Sequence, residues 1–97
     1  MDPIRLEWDE RKNRSNQRKH GVSFEEAQTV FFDERALEYP DPDAEAEPRF
    51  LIIGLSLKLQ VLLVCHCFRV DDSVIRIISA RRATHKERGA YAERAKR

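Results

Sequence analysis

The cations of this chain gather where strands end and helices begin, and such grouping marks a phosphate-binding surface. In IRIISARRATHKERGAY, Ile75 to Tyr91, a strand of alternating apolar and basic residues runs into a helix start. Arg76, Arg81, Arg82, Lys86 and Arg88 fall on or beside that junction. Arg69 closes the preceding run VLLVCHCFR, and Arg49 opens the apolar run before it. A guanidinium group stays charged and can hold one phosphate through two parallel hydrogen bonds. His66 adds a group that both accepts and donates protons near neutrality, since its ordinary pKa is about 6.5. Charge is divided along the chain. Met1 to Pro48 holds 7 Lys or Arg against 13 Asp or Glu, a net of −6, whereas Arg49 to Arg97 holds 11 against 4, a net of +7.

Those residues need a scaffold, and 97 residues supply one domain with a modest core. With 41% hydrophobic and 36% charged residues the composition is that of a folded, highly charged protein. The longest apolar runs fall far short of the roughly 18 to 20 residues that span a bilayer. The acidic opening MDPIRLEWDE lacks the apolar segment of a signal peptide, so no membrane partner is expected and the expected compartment is the cytoplasm. Cys65 and Cys67 are one residue apart on a predicted strand, a spacing that suits a disulfide poorly, and are read as reduced thiols.

Ile4, Leu6 and Trp8 alternate with charged residues and predict a short strand ending at Asp9, an N-cap for a helix over Glu10 to His20 that Gly21 closes. This helix has almost no apolar face and must be pinned by its neighbours. Ser23 with Glu26 has capping-box spacing, and Phe24, Ala27, Val30 and Phe31 predict a second helix from about Phe24 to Phe32. DERALEYPDPDAEAEPR reads as an edge strand around Leu37 and Tyr39, then an exposed acidic loop. Strands follow at Arg49 to Leu57, Gln60 to Arg69 and Val74 to Arg82. Thr84 with Glu87 then opens a C-terminal helix through about Ala95, weakened by Gly89. The order predicts an α+β domain over residues 1–97: a central antiparallel β-sheet packed against two N-terminal helices, with a C-terminal helix.

Four blocks of this sequence resemble the BrnT family of type II toxin-antitoxin systems. They are WDERKNRSNQRKHGVSFEEAQTVF at Trp8 to Phe31, EPRF at Glu47 to Phe50, Gly54 with the LLVCHCFR strand, and IRIISARRATHKERGAY. The resemblance implies a RelE-like fold and a ribonuclease toxin whose substrate is RNA. It also implies a ribbon-helix-helix antitoxin, BrnA-like, whose complex with the toxin binds operator DNA. Cleaving RNA without a metal needs a base for the 2′-hydroxyl proton, cations for the charge that builds on phosphorus oxygens, and an acid for the leaving 5′-oxygen. The three histidines are dispersed and the acids lack metal-site spacing, so neither metal nor cofactor is expected.

The expected catalytic set is His66, Arg69, Arg81, Arg49 and Lys19, with Lys19 or Glu87 as replacements for His66 as the base. If the last hairpin brings its ends together, Arg69 and Arg81 would grip one phosphate. Strict alternation puts His66 and Arg69 on opposite sheet faces unless a bulge intervenes. Arg11, Lys12, Arg18, Arg76 and Arg82 are expected to contact RNA phosphates. Each assignment has a structural alternative. His66 is equally a core residue, Arg49 equally a tie for the acidic loop, and Lys19 a cation at a helix C-terminus. Trp8, Phe24, Phe31, Phe50 and Tyr91 are read as core packing rather than base-stacking platforms. The competing function is a module that binds nucleic acid or the antitoxin without cleaving.

Overall fold

The computed structural model describes residues 4–96. In chain order the elements are β1 (Arg5–Glu7), α1 (Glu10–His20), α2 (Phe24–Ala27) continuing into a 3-10 turn (Gln28–Phe32), β2 (Leu37–Pro40), β3 (Phe50–Leu55), β4 (Val61–Arg69), β5 (Val74–Arg82) and α3 (His85–Ala95). The strands form one sheet in the order β1-β5-β4-β3-β2. Every neighbouring pair is antiparallel except β1 with β5, which is parallel. The α+β class and element order therefore agree with the sequence reading, and the parallel edge is an addition to it.

Local chemistry explains the elements. Asp9 accepts from the Arg11 N–H at the start of α1, and Gly21, at φ 70°, closes it by donating its N–H to Gln17 O. Two buried asparagines, not an apolar stripe, hold α1 in place. Asn16 donates to Val22 O and Ala80 O, each at 2.8 Å, and accepts from the Ala80 N–H at 3.2 Å. β1 pairs only with Val74 to Arg76, so the edge of β5 beyond it is left open, and the Asn16 carboxamide satisfies that edge as a strand would. Asn13 accepts from the Phe24 N–H at 2.8 Å and joins α1 to α2.

The second helix is shorter than its apolar spacing predicts. After one turn, the Thr29 hydroxyl donates to Glu26 O at 2.7 Å, and the chain tightens into the 3-10 turn. Only half of the Ser23–Glu26 capping box forms. Ser23 accepts from the Glu26 N–H, but the Glu26 carboxylate turns away to accept from Ser56 Oγ at 2.6 Å and Gln60 Nε2 at 3.0 Å. The box at Thr84 and Glu87 is complete.

The main core lies between this helical layer and the sheet, where Val22, Phe24, Ala27 and Val30 meet Ile52, Leu62, Val64, Ile77 and Ala80. On the other face Ile53, Leu63, Cys65 and Cys67 are also buried, and both thiols are free. α3 buries no residue of its own. It is held by polar contacts: Tyr91 donates to Asp33 Oδ2 at 2.7 Å, and Arg81 grips Glu87. The loop between β3 and β4 turns through Leu59, at φ 62°, and Ser56 Oγ accepts from the Lys58 and Gln60 N–H groups.

Candidate active site

Strand parity decides which side chains can meet. Along β4, Leu62, Val64 and His66 face the helical layer, whereas Leu63, Cys65, Cys67 and Arg69 face the other way, with no interruption. The irregularity is on β5. Cys65 pairs with Ser79 and His66 with Ile77, so Ile78 is the extra residue of a β-bulge. Its effect is a change of phase. Arg81 lies opposite Leu63 and Arg76 opposite Cys67, so both project on the Arg69 face, although a regular strand would put residues five apart on opposite faces.

On that face lies a cationic cleft of about 80 Å³ lined by Lys12, Glu47, Arg49, Cys67, Arg69, Arg76 and the bulge residue Ile78. Four cations reach it from α1, the residue before β3, the end of β4 and the start of β5. Arg69 lies 3.6 Å from Glu47, and Arg76 donates to Glu7 at 2.7 Å. Among the described residues Lys12 and Arg49 have no ion-pair partner. The cleft continues along α1 into a hollow of about 180 Å³ lined by Lys12, Ser15, Asn16, Lys19, His20, Ile78 and Ser79. Lys19 is two helical turns from Lys12 and lies in that extension.

Three sequence expectations are corrected by this geometry. Arg69 and Arg81 do not converge: Arg69 pairs with Val74 at one end of the hairpin and Arg81 lies opposite Leu63 near the other. Six strand residues separate them, roughly 20 Å at about 3.3 Å per residue. Antiparallel pairing puts the end of one strand beside the start of the next, so two C-terminal arginines cannot share a phosphate. Arg81 instead makes a bidentate pair with Glu87, at 2.8 and 3.0 Å, that fixes the start of α3. This hydrogen-bonded pair holds the Glu87 carboxyl below its ordinary range and Arg81 above its own.

His66 is fully buried on the helical side of the sheet, away from the cleft. Its Nε2 donates to Glu38 Oε1 at 2.8 Å, and its ring meets Phe31 edge to face with centroids 4.8 Å apart. The bulge that could have joined it to Arg69 lies on the neighbouring strand. Arg82 also stands on the helical side, opposite Leu62, and donates to Gln60 Oε1 at 2.8 Å. Arg11 and Arg18 are exposed on a stripe of α1 beside the one that carries Lys12 and Lys19.

The sequence profile of the family described as "Ribonuclease toxin, BrnT, of type II toxin-antitoxin system" matches residues 8–87 of this chain. The chain belongs to the BrnT family. A crystal structure of the ribonuclease toxin BrnT from Brucella abortus, at 1.1 Å resolution, superposes with a TM-score of 0.65. It is 26% identical, and the match covers 84% of this chain and 99% of that one. No curated protein matches. Within this BrnT family member the profile spans Lys12, Glu47, Arg49, Arg69 and Arg76 together. Among the described residues no helix is long and apolar enough to cross a membrane.

One residue of the candidate cleft and two structural partners were missed in the sequence. Glu47 stood inside the EPRF block yet was read only as part of an acidic loop; in the structure it is the carboxylate of the cleft. Glu38, the partner of His66, and Asn16, which holds α1 against the bulged strand, depend on contacts 28 and 64 residues apart. Alternation on β2 puts Glu38 on the helical side opposite Ile52. That signal was legible, but its partner was not.

Proposed function

We propose that this chain is a metal-independent endoribonuclease toxin that cuts RNA in the Lys12–Arg49–Arg69–Arg76 cleft. The observation that carries the reading is the convergence of four cations from four separate elements around one carboxylate, Glu47. Cations placed where charge develops are the largest single source of rate in phosphoryl chemistry. Glu47 takes the proton of the 2′-hydroxyl as that oxygen bonds to phosphorus. Arg69, Arg49 and Arg76 hold the non-bridging oxygens, and the Lys12 ammonium returns a proton to the 5′-oxygen as its bond to phosphorus breaks. The products are a 2′,3′-cyclic phosphate and a 5′-hydroxyl. A site with one carboxylate among four cations repels a divalent metal, which favours acid-base over two-metal chemistry.

Growth arrest through loss of translated RNA follows in the cytoplasm, and a ribbon-helix-helix antitoxin of the BrnA type neutralises it and carries the complex to operator DNA. The toxin-antitoxin description of the family supports this part, and the RelE-like topology belongs to the same reading. The test is cleavage of a defined RNA by purified protein with and without EDTA, with the product ends mapped. Cyclic phosphate ends insensitive to chelation, and their loss in Glu47→Gln, are expected. Binding of RNA with no cleavage by the folded wild type would overturn the reading in favour of a binding module.

A further inference from the structure

The cleft occupies one face of the sheet end, and a second, larger depression occupies the other. A groove of about 450 Å³ is lined by Glu47, Pro48, Phe50, Phe68 and Asp72. The two share Glu47 and are joined by the pleat itself. Arg49 lies in the cleft and the next residue, Phe50, lines the groove; Phe68 lines the groove and the next residue, Arg69, lies in the cleft. Two neighbouring strands thus each present an arginine to one face and a phenylalanine to the other at the same end of the sheet.

Resting on the ribonuclease reading, we infer that the groove is a nucleobase subsite that selects guanine in the RNA strand held by the cleft. Phe50 and Phe68 are half-buried, and their rings meet at 67° with centroids 5.2 Å apart, braced from beneath by the buried ring of His66. A fixed, half-open aromatic surface is what a base stacks on. This revises the expectation that Phe50 serves packing alone. The polar lining is one-sided: Glu47 and Asp72 are carboxylates and, among the described residues, no cation lines the groove. Such a rim repels phosphate and accepts hydrogen bonds. Guanine alone among the RNA bases offers two adjacent donors on its Watson–Crick edge, N1–H and N2–H, which one carboxylate accepts together; adenine, cytosine and uracil each present an acceptor beside the donor. Asp72 is free for that role, since it sits in the exposed β4–β5 turn with a left-handed backbone, at φ 66°, and makes no ion pair among the described residues. A nucleotide folded over the sheet end then places its phosphate with Arg49 and Arg69 and its base with Phe50 and Phe68.

The experiment separates binding from cleavage. Fluorescence anisotropy is measured with 2′-O-methyl oligonucleotides, which cannot be cut, that differ by G, A, C or U at single positions; cleavage is mapped on matched RNAs. Wild type is expected to prefer guanine at one position about tenfold in both assays, and Asp72→Asn, which suits a left-handed backbone, to abolish the preference in both. Phe68→Leu, checked for folding by circular dichroism, is expected to weaken binding of every sequence about tenfold. A guanine preference in binding without any cleavage would support the subsite and reject the nuclease. Cleavage with no base preference, or with a preference unchanged in Asp72→Asn, would overturn the subsite and leave the nuclease standing. Loss of antitoxin neutralisation in Phe68→Leu with RNA binding unchanged would assign the groove to the partner protein and also overturn it.

Discussion

Replacing His66 by alanine is predicted to be a stability mutation and not a catalytic one. The imidazole is fully buried, contacts the rings of Phe31, Phe50 and Phe68, and donates to Glu38. Truncation removes the aromatic contacts and leaves a cavity on the helical side of the sheet. Ring-to-alanine changes in cores cost about 3–5 kcal/mol, and the smaller imidazole sets the expectation at about 2–4 kcal/mol. The Glu38 carboxylate adds little, because with 45% of its side chain exposed it returns to water when its partner is lost. For a domain of this size each kcal/mol shifts Tm by about 4–8 °C, so a fall of roughly 8–32 °C is expected. His66→Phe keeps a ring among the other rings and should lose less. The assays are thermal unfolding followed by circular dichroism, and RNA cleavage per folded molecule at a temperature where both variants are folded. His66→Phe is expected to cut within a few-fold of wild type. A His66→Ala protein with unchanged Tm and cleavage reduced a hundredfold would refute the reasoning and return the imidazole to the reaction.

Three further outcomes follow from packing and titration. Gly54→Ala would put a Cβ 2.7 Å from Val30 Cγ1 and 3.1 Å from Ala36 Cβ; because Val30 is fully buried, a loss of about 1–3 kcal/mol in denaturant unfolding is expected. Asn16→Ala leaves the Ala80 N–H and two carbonyls without their partner, and about 2–3 kcal/mol is expected with release of α1 from the β5 edge, read by hydrogen exchange. Burial and the hydrogen bond to Asp33 push the Tyr91 hydroxyl up to about 12. Its stabilising contribution is therefore complete below the ordinary value of 10 and fades as pH rises from there through about 12, and Tyr91→Phe should flatten the alkaline limb of the stability curve in that window. The Glu87 carboxyl, lowered chiefly by its hydrogen bonds from Arg81, gives the opposite limb: its contribution is present above the ordinary value of 4.5 and is lost as pH falls through the folded value, a loss that Glu87→Gln should remove.

Much of the fold was legible because its signals are local. The Asp9 cap, Gly21 with its left-handed backbone, the Thr84–Glu87 box and period-two alternation on β3 to β5 each act within a few residues. The placement of His66 on the covered face was legible by the same alternation. What alternation could not reveal is a change of phase. The Ile78 bulge has no Gly or Pro to mark it, yet it puts Arg81 on the face that Arg76 and Arg69 share. The β3–β4 turn was nearly as quiet, since Leu59 adopts positive φ where Gly or Asn would have announced it, whereas Asp71 and Asp72 marked the β4–β5 turn at Val70 to Ser73. α1 lacked an apolar face because its anchors are asparagines that bond to backbone far along the chain, which no local pattern encodes. The site was misjudged where strand ends were matched by name and not by direction: Arg69 and Arg81 both end strands, but antiparallel strands end at opposite edges.

The claim that the Lys12–Arg49–Arg69–Arg76 cleft is where RNA is cut has a direct measurement. It is kcat/KM for RNA cleavage by Arg69→Ala set beside Arg82→Ala. Neither change should cost stability, since Arg69 is half-exposed and 3.6 Å from Glu47, and Arg82 is exposed with one hydrogen bond to Gln60. Loss of one cation at the scissile phosphate predicts a fall of about 10²–10³ for Arg69→Ala, with Arg82→Ala within about threefold of wild type. Equal activity in the two variants, or the larger loss in Arg82→Ala, would contradict it.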